Sequence, residues 1–211
     1  MNVLPAPRSG RSGMRIALTG GPGGGKTTAA DLFRRELGEA VVIVPEAATL
    51  LFGGGFPRRD DTTSSMASQR AIFAVQRALE ETQSAAFPGR ILLCDRGTID
   101  GAAYWPAEAE GAEGFFATVD TTLDVELQRY DAVIFFETAA AGGISIEGGN
   151  PVRNEGLDEA RKLDGRLRTL WSQHPRFVFV PHNASFFKKI TFGLAAIESI
   201  VAQLRQEESK P

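Results

Sequence analysis

Residues 20–28 read GGPGGGKTT and follow directly on the apolar run Ile16-Ala17-Leu18. From Gly20 the stretch satisfies G-x-x-x-x-G-K-[ST], with Gly25, Lys26 and Thr27 closing the pattern. Each residue type answers a need of polyphosphate binding. Glycine lets the chain turn tightly and bring several N–H groups against one anion, an approach that a Cβ would obstruct. Lys26 offers a point charge to the outer phosphates, and the Thr27 hydroxyl suits a Mg2+ ion bridging them. A helix beginning near Lys26 would add its positive end at the same place. A glycine-rich turn is the plain alternative. The setting between an apolar, strand-like run and a helical pattern is what a phosphate-binding loop requires, and it favours the loop. Gly20, Gly21, Gly23, Gly24, Gly25, Lys26, Thr27 and Thr28 are therefore the residues expected to hold a nucleoside triphosphate.

Other candidates stand where further apolar runs end. The run at 90–94 leads into Asp95-Arg96. A carboxylate there suits the magnesium shell, so Thr27 and Asp95 form the expected metal pair, although aspartates also commonly end strands and begin turns. Arg96 would stand well placed for a phosphate. Glu46 follows the run at 40–44, either facing the nucleotide or serving as a surface or capping glutamate. Arg153 closes a glycine-rich stretch at 139–154 whose length points to a functional or a disordered loop. Residues 53–60, GGGFPRRD, read either as a substrate flap offering two arginines or as a solvated loop.

Five apolar runs order these residues: 15–19, 40–44, 90–94, 131–136 and 177–180. They do not alternate, as expected of strands buried on both faces. Helical patterns lie between them, which argues an α/β fold with a parallel sheet sandwiched by helices and sites at the carboxyl ends of its strands. The first helix is expected over 26–37, ending at Gly38. A long helix over 63–85 would bury Ile72, Val75 and Leu79; beside them, Gln69, Phe73, Gln76 and Arg77 could read a nucleoside or form a core edge and solvated flank. A further helix is expected over 115–128, and another, capped by Asn154, would bury Leu157, Ala160, Leu163, Leu167, Leu170 and Trp171. The last helix shows Phe187, Ile190, Leu194, Ile197, Val201 and Leu204 inward, with Lys188 and Lys189 on its outer face. His174 reads as structural or exposed. The loop at 181–185 is expected either beside the nucleotide base or as a helix cap.

The composition sets bounds on function. In 211 residues, one domain over 14–205 is expected, with a flexible leader at 1–13 and a tail at 206–211. A net charge of −3 gives no global attraction to nucleic acid or to an anionic membrane, and no apolar run approaches the length of a membrane span. The single cysteine, Cys94, lies within an apolar run and reads as buried and inert. It allows no disulfide within the chain, which suits a cytoplasmic setting.

Taken together, GGPGGGKTT, VPEAA, DRGTIDGAAYWP, YDAVIFFE, NPVRNEGLDEARKLDGRLRTLW and VPHNASFFKKI resemble the P-loop ATPase family that includes the ribosylnicotinamide kinase domain of NadR and the animal TRPL-translocation-defect proteins. The resemblance spans most of 14–202 and is more distantly similar to deoxynucleoside and nucleotide kinases. It implies a three-layer P-loop NTPase fold with a five-stranded parallel sheet of order 2-3-1-4-5. It also implies ATP as the nucleotide, with GTP left open, and no N-K-x-D guanine-reading element occurs in the sequence. On that likeness, Glu46 matches a carboxylate aimed at the acceptor hydroxyl, Asp95-Arg96 an acidic-arginine pair, and Arg153 the arginine of a closing LID segment. The catalytic set so implied is Lys26, Glu46, Asp95, Arg96 and Arg153. Two functions follow as expectations: a kinase for a small, nucleoside-like acceptor, or a regulatory ATP/GTP-binding switch with slow or no turnover.

Overall fold

The computed structural model describes residues 13–143 and 156–208. Most of the expected leader, the end of the tail, Asn154 and Arg153 lie outside the described residues. The strands are β1 (Arg15–Thr19), β2 (Val41–Val44), β3 (Ile91–Asp95), β4 (Ala132–Phe136) and β5 (Phe177–Val180). They form one parallel sheet of order β2-β3-β1-β4-β5, as expected.

The unbroken apolar character of these strands reflects burial on both faces. Successive residues point to opposite sides, so Ile16 and Leu18 join one core while Ala17 joins the other. On the first face lie helices α1 (Lys26–Leu37) and α8 (Phe186–Glu208), packed through Phe33, Ile197 and Val201. On the second lie α3 (Thr62–Ala86), α4 (Asp100–Tyr104), α5 (Gly111–Thr118), α6 (Leu123–Leu127) and α7 (Leu157–Trp171). A short helix, α2 (Ala47–Gly53), follows β2. Cys94 is fully buried, and burial pushes its thiol well up, which keeps it protonated and unreactive. Among the described residues no helix is long and apolar enough to cross a membrane.

Several local expectations need correction. The single helix over 115–128 is two, because Asp120 takes a left-handed φ of 53° and Thr122 starts α6 as its N-cap, accepting from the Val125 N–H. The N-cap of α7 is Gly156 rather than Asn154, and Leu157 lies outside the buried stripe. The buried line of α3 is Phe73, Gln76 and Glu80, with Ile72, Val75 and Leu79 only partly covered. In α8, Phe187 is exposed and Lys189 is buried, reversing their expected faces.

Register aligns the carboxyl ends. Leu18 pairs with Asp95, Thr19 with Phe135, and Val44 with Cys94. The loop after β1 therefore meets the segments that follow β2, β3 and β4 along one edge of the sheet.

Candidate functional site

Between β1 and α1 the chain curls around the ammonium of its own lysine. Lys26 Nζ donates to the Gly20 and Gly21 carbonyls, each at 2.8 Å, and its side chain is buried. The Gly24 N–H closes the turn on the Gly21 carbonyl at 3.3 Å. Gly25 starts α1 at φ 84°, a left-handed value natural to glycine, and Gly20 has no alternative, since a Cβ there would meet the Phe136 carbonyl oxygen at 2.0 Å. Thr28 is exposed on the first turn of α1.

Side chains from the second half of the sequence grip this loop from outside. Asp164 of α7 accepts the Gly21 N–H at 2.8 Å and the Thr138 N–H at 2.9 Å, both through Oδ1. Thr138 donates its hydroxyl to the Pro22 carbonyl at 2.5 Å. Lys189 Nζ donates to the Gly24 carbonyl at 2.9 Å and to the Glu137 carbonyl at 2.6 Å. Burial lowers the Lys189 ammonium to about 8 against the pull of Asp164 and Glu137, and burial raises the Asp164 carboxyl.

Thr27 and Asp95, the two residues expected to hold a metal, lie side by side. Thr27 donates its hydroxyl to Asp95 Oδ2 at 2.6 Å. Asp95 Oδ1 is buried without a hydrogen-bond partner among the described residues. Burial first, then the charge of Glu46, raises the Asp95 carboxyl. A hydroxyl, a carboxylate and an unsatisfied buried oxygen suit a hard, oxygen-seeking cation, which would also answer the destabilised charge of Asp95. No cluster of three or more His, Cys, Asp or Glu side chains suited to a metal exists among the described residues. Phosphate oxygens and water would therefore complete the shell, as Mg2+ ordinarily prefers.

Beside this loop sits a cluster of buried charges. Arg96 Nε donates to Glu46 Oε1 at 2.5 Å and Arg96 Nη1 to Asp100 Oδ2 at 2.8 Å. Glu46 also accepts the Thr49 hydroxyl at 2.6 Å, and Asp100 accepts from Thr19 and, at 2.7 Å, from Trp171 Nε1. Arg96 itself takes φ 75°, an uncommon value for a residue with a Cβ that marks a backbone held for a purpose. Gln76 supports it by donating to the Arg96 carbonyl at 3.3 Å and to Glu80 at 3.2 Å. Glu80 in turn accepts Tyr130 Oη at 2.7 Å and Arg129 Nη2 at 2.9 Å, so the segment after β3 rests on a buried polar network.

Glu46, Arg96 and Asp100 line a cavity of about 750 Å³ that also meets Phe52, Gln69, Ile72, Tyr104, Trp105 and Leu163. Arg58, Arg59 and Asp60 reach it as well, so the end of the segment at 53–60 lies against the cavity. Asp95 is not among its lining residues; it faces Thr27 instead.

The loop, Glu46, Asp95 and Arg96 thus come together, whereas Arg153 lies outside the described residues. Of the expected nucleoside-reading stripe, only Gln69 reaches the cavity. Phe73 packs edge-on against Phe115, Gln76 braces Arg96, and Arg77 pairs with Glu81 and Glu126. His174 is buried and structural, bonded to the Tyr130 carbonyl. Asp100, Thr138, Asp164 and Lys189 were not among the expected site residues. Two carried a usable signal: Asp164 stands four residues after Ala160 and three before Leu167, on the apolar stripe, and Lys189 stands eight before the buried Ile197.

The chain from residue 15 to 188 matches the family model described as AAA domain. No curated protein matches it. Among solved structures, a deoxyadenosine kinase from M. mycoides with bound dATP superposes with a TM-score of 0.63 at 16% sequence identity, over 88% of this chain and 100% of that one. At that identity the likeness carries the fold alone: a five-stranded parallel sheet of order β2-β3-β1-β4-β5 flanked by helices, as in that kinase.

Proposed function

This chain belongs to the AAA domain family, and we propose that it is a phosphotransferase moving the γ-phosphoryl group of ATP, with Mg2+, to a small nucleoside- or nucleotide-like acceptor. Within that family we place it beside the NadR kinase domain and the TRPL-translocation-defect proteins, on the sequence blocks quoted above. The observation that carries the proposal is the acceptor-sized cavity walled by Glu46, Arg96 and Asp100, directly beside the phosphate loop. A second, charged chamber at that place is what an acceptor would require beside the triphosphate.

Phosphoryl transfer asks mainly for positioning and charge neutralisation. Loop N–H groups and Lys26 would hold the β and γ oxygens, Lys26 exchanging its loop carbonyls for phosphate. Thr27 and Asp95 would hold Mg2+, which offsets phosphate charge when bound. Glu46 is the base, since it lines the cavity and Asp95 does not; it would take the proton of the acceptor's attacking hydroxyl. Arg96 holds Glu46 in place and keeps a positive charge at the boundary between the two chambers. Arg153 would close over the transferring group, and the segment at 53–60 would screen the acceptor from water. The lone, buried Cys94 suits a cytoplasmic enzyme.

The test is ADP formation across a panel of nucleosides, nucleotides and nicotinamide riboside. We expect acceptor-dependent turnover, lowered by about 10²–10⁴-fold in Glu46→Gln with ATP affinity kept. One observation favours the regulatory switch: both Glu46 oxygens already accept hydrogen bonds, from Arg96 and Thr49. Tight ATP or GTP binding with no turnover for any acceptor would establish that reading instead.

A further inference from the structure

We infer that Thr138 and Lys189 are positioning residues for the triphosphate: by holding the Pro22 and Gly24 carbonyls from outside the loop, they turn the Gly23 and Gly25 N–H groups inward toward the phosphates. The inference rests on the triphosphate reading above.

The argument starts from peptide geometry. Every described peptide bond is trans, so the C=O and N–H of one unit point to opposite sides. The unit joining Gly20 and Gly21 shows which side is which. Its carbonyl faces inward to Lys26 Nζ at 2.8 Å, and its N–H faces outward to Asp164 Oδ1 at 2.8 Å. The next two units that carry both groups and are held from outside run the other way. The Pro22 carbonyl is taken outward by the Thr138 hydroxyl at 2.5 Å, which leaves the Gly23 N–H inward. The Gly24 carbonyl is taken outward by Lys189 Nζ at 2.9 Å, which leaves the Gly25 N–H inward.

The turn that the Gly24 N–H closes on the Gly21 carbonyl brackets the Pro22–Gly23 unit without fixing which way it faces. Gly23 and Gly25 accept positive φ as readily as negative, so without the two donors either unit can flip and present its carbonyl to the anion instead. A carbonyl oxygen facing a phosphate repels it, whereas a preset N–H binds without paying for reorientation on ligand arrival.

A second observation is the provision made for Lys189. An ammonium that is only 5% exposed is costly, and burial lowers it to about 8. One turn further along α8 stands Gly193, where a Cβ would sit 2.9 Å from both Phe136 Cζ and Phe33 Cζ. The missing side chain lets α8 lie close enough to β4 for Lys189 to bridge the Glu137 and Gly24 carbonyls. A lysine serving only as a surface charge needs neither the burial nor that approach.

The experiment titrates the full chain and its Thr138→Val and Lys189→Met variants with ATP and with inorganic tripolyphosphate, which lacks a base and sugar. Folding is followed by circular dichroism, and amide resonances by ¹H–¹⁵N spectra. Each variant should bind both ligands about tenfold more weakly, the scale of one lost hydrogen bond with its presetting. The Gly23 amide in Thr138→Val and the Gly25 amide in Lys189→Met should shift in the free protein and return toward the wild-type position at saturation. A merely structural role would not move those resonances selectively. Folded variants that bind both ligands within twofold of wild type would overturn the inference. So would weakening confined to ATP, which would place the effect at the base. If Lys189→Met does not fold, Thr138→Val decides alone, being nearly isosteric. A wild-type chain that binds neither ligand would overturn the triphosphate reading, and this inference with it.

Discussion

Around residues 20–26 the groups proposed to meet the triphosphate are main-chain amides and the Lys26 ammonium, and side chains from the segment after β4, from α7 and from α8 bond the loop's backbone. Around Glu46 and Arg96 the ligand-facing groups are side-chain charges that hold one another. The contrast follows from what each side must recognise. A triphosphate has a fixed shape and charge, which a preset row of N–H groups matches without help from residue identity beyond glycine and lysine. The proposed acceptor would be defined by its own hydroxyls and ring, so a chamber for it would need chemical variety, and that variety would come from side chains. The two sides should therefore fail differently. Loss of a loop contact should weaken ligand binding and leave the fold, whereas loss of a partner in the charged cluster should strand an ion in the interior.

The strongest test of that difference is Arg96→Met. It removes the cation from between two carboxylates that are each at most 7% exposed. Breaking a buried pair on one side ordinarily costs about 3–5 kcal/mol. Urea unfolding should show a loss of that size, and a loss below about 1 kcal/mol would mean that the cluster is far better solvated than its burial implies. Next in size is Lys26→Ala. Its ammonium makes two hydrogen bonds to loop carbonyls that phosphate oxygens would replace. Charge-assisted bonds contribute about 1.5–3 kcal/mol each, so loss of two should lower ATP affinity measured by calorimetry by about a hundredfold or more, with unfolding shifted much less than in Arg96→Met. Unchanged affinity would remove the phosphate loop as the binding element; equal losses of stability in both variants would erase the distinction between the two sides.

The same contrast governs how much of the molecule is legible in its sequence. The strands were legible to within a residue, because runs such as Ala132–Phe136 are apolar at every position, and only a doubly covered strand needs that. The loop was legible because all its ligand-facing parts are consecutive in sequence. Its support was not: Asp164 lies 143 residues from Gly21, Thr138 lies 116 from Pro22, and Lys189 lies 165 from Gly24. Helical spacing alone puts Asp164 on the apolar stripe of α7 and Lys189 eight residues before the buried Ile197, but it does not say what either touches. The ordinary preference of lysine for water puts Lys189 on the outer face, and the Gly24 and Glu137 carbonyls here override it. On the acceptor side, Glu46 and Arg96 were found from strand ends. Asp100 was missed because it stands at the head of a short helix rather than after a strand. Of the two roles open to Gln76, reading a nucleoside or forming a core edge, the second holds, since its buried amide is consumed by Arg96 and Glu80.

The finest probe of the loop's outer support is pH. Burial holds the Lys189 ammonium at about 8, against 10.5 for a free lysine, while Asp164 and Glu137 face it and pull the other way. Between those two values the unfolded chain keeps a proton that the folded chain has released, so the contribution of Lys189 to stability rises with pH across that window. It is lost as pH falls back through about 8 and is constant below. Urea unfolding of wild type and Lys189→Met at pH 7, 8, 9 and 10 isolates the effect, since Met does not titrate and other groups cancel in the difference. The stability of wild type relative to the variant should be level between pH 7 and 8 and then climb toward pH 10. A difference that stays flat over the whole range would show an ordinary, solvated ammonium, and the loop would then lack the buried donor that distinguishes its construction from that of the acceptor chamber.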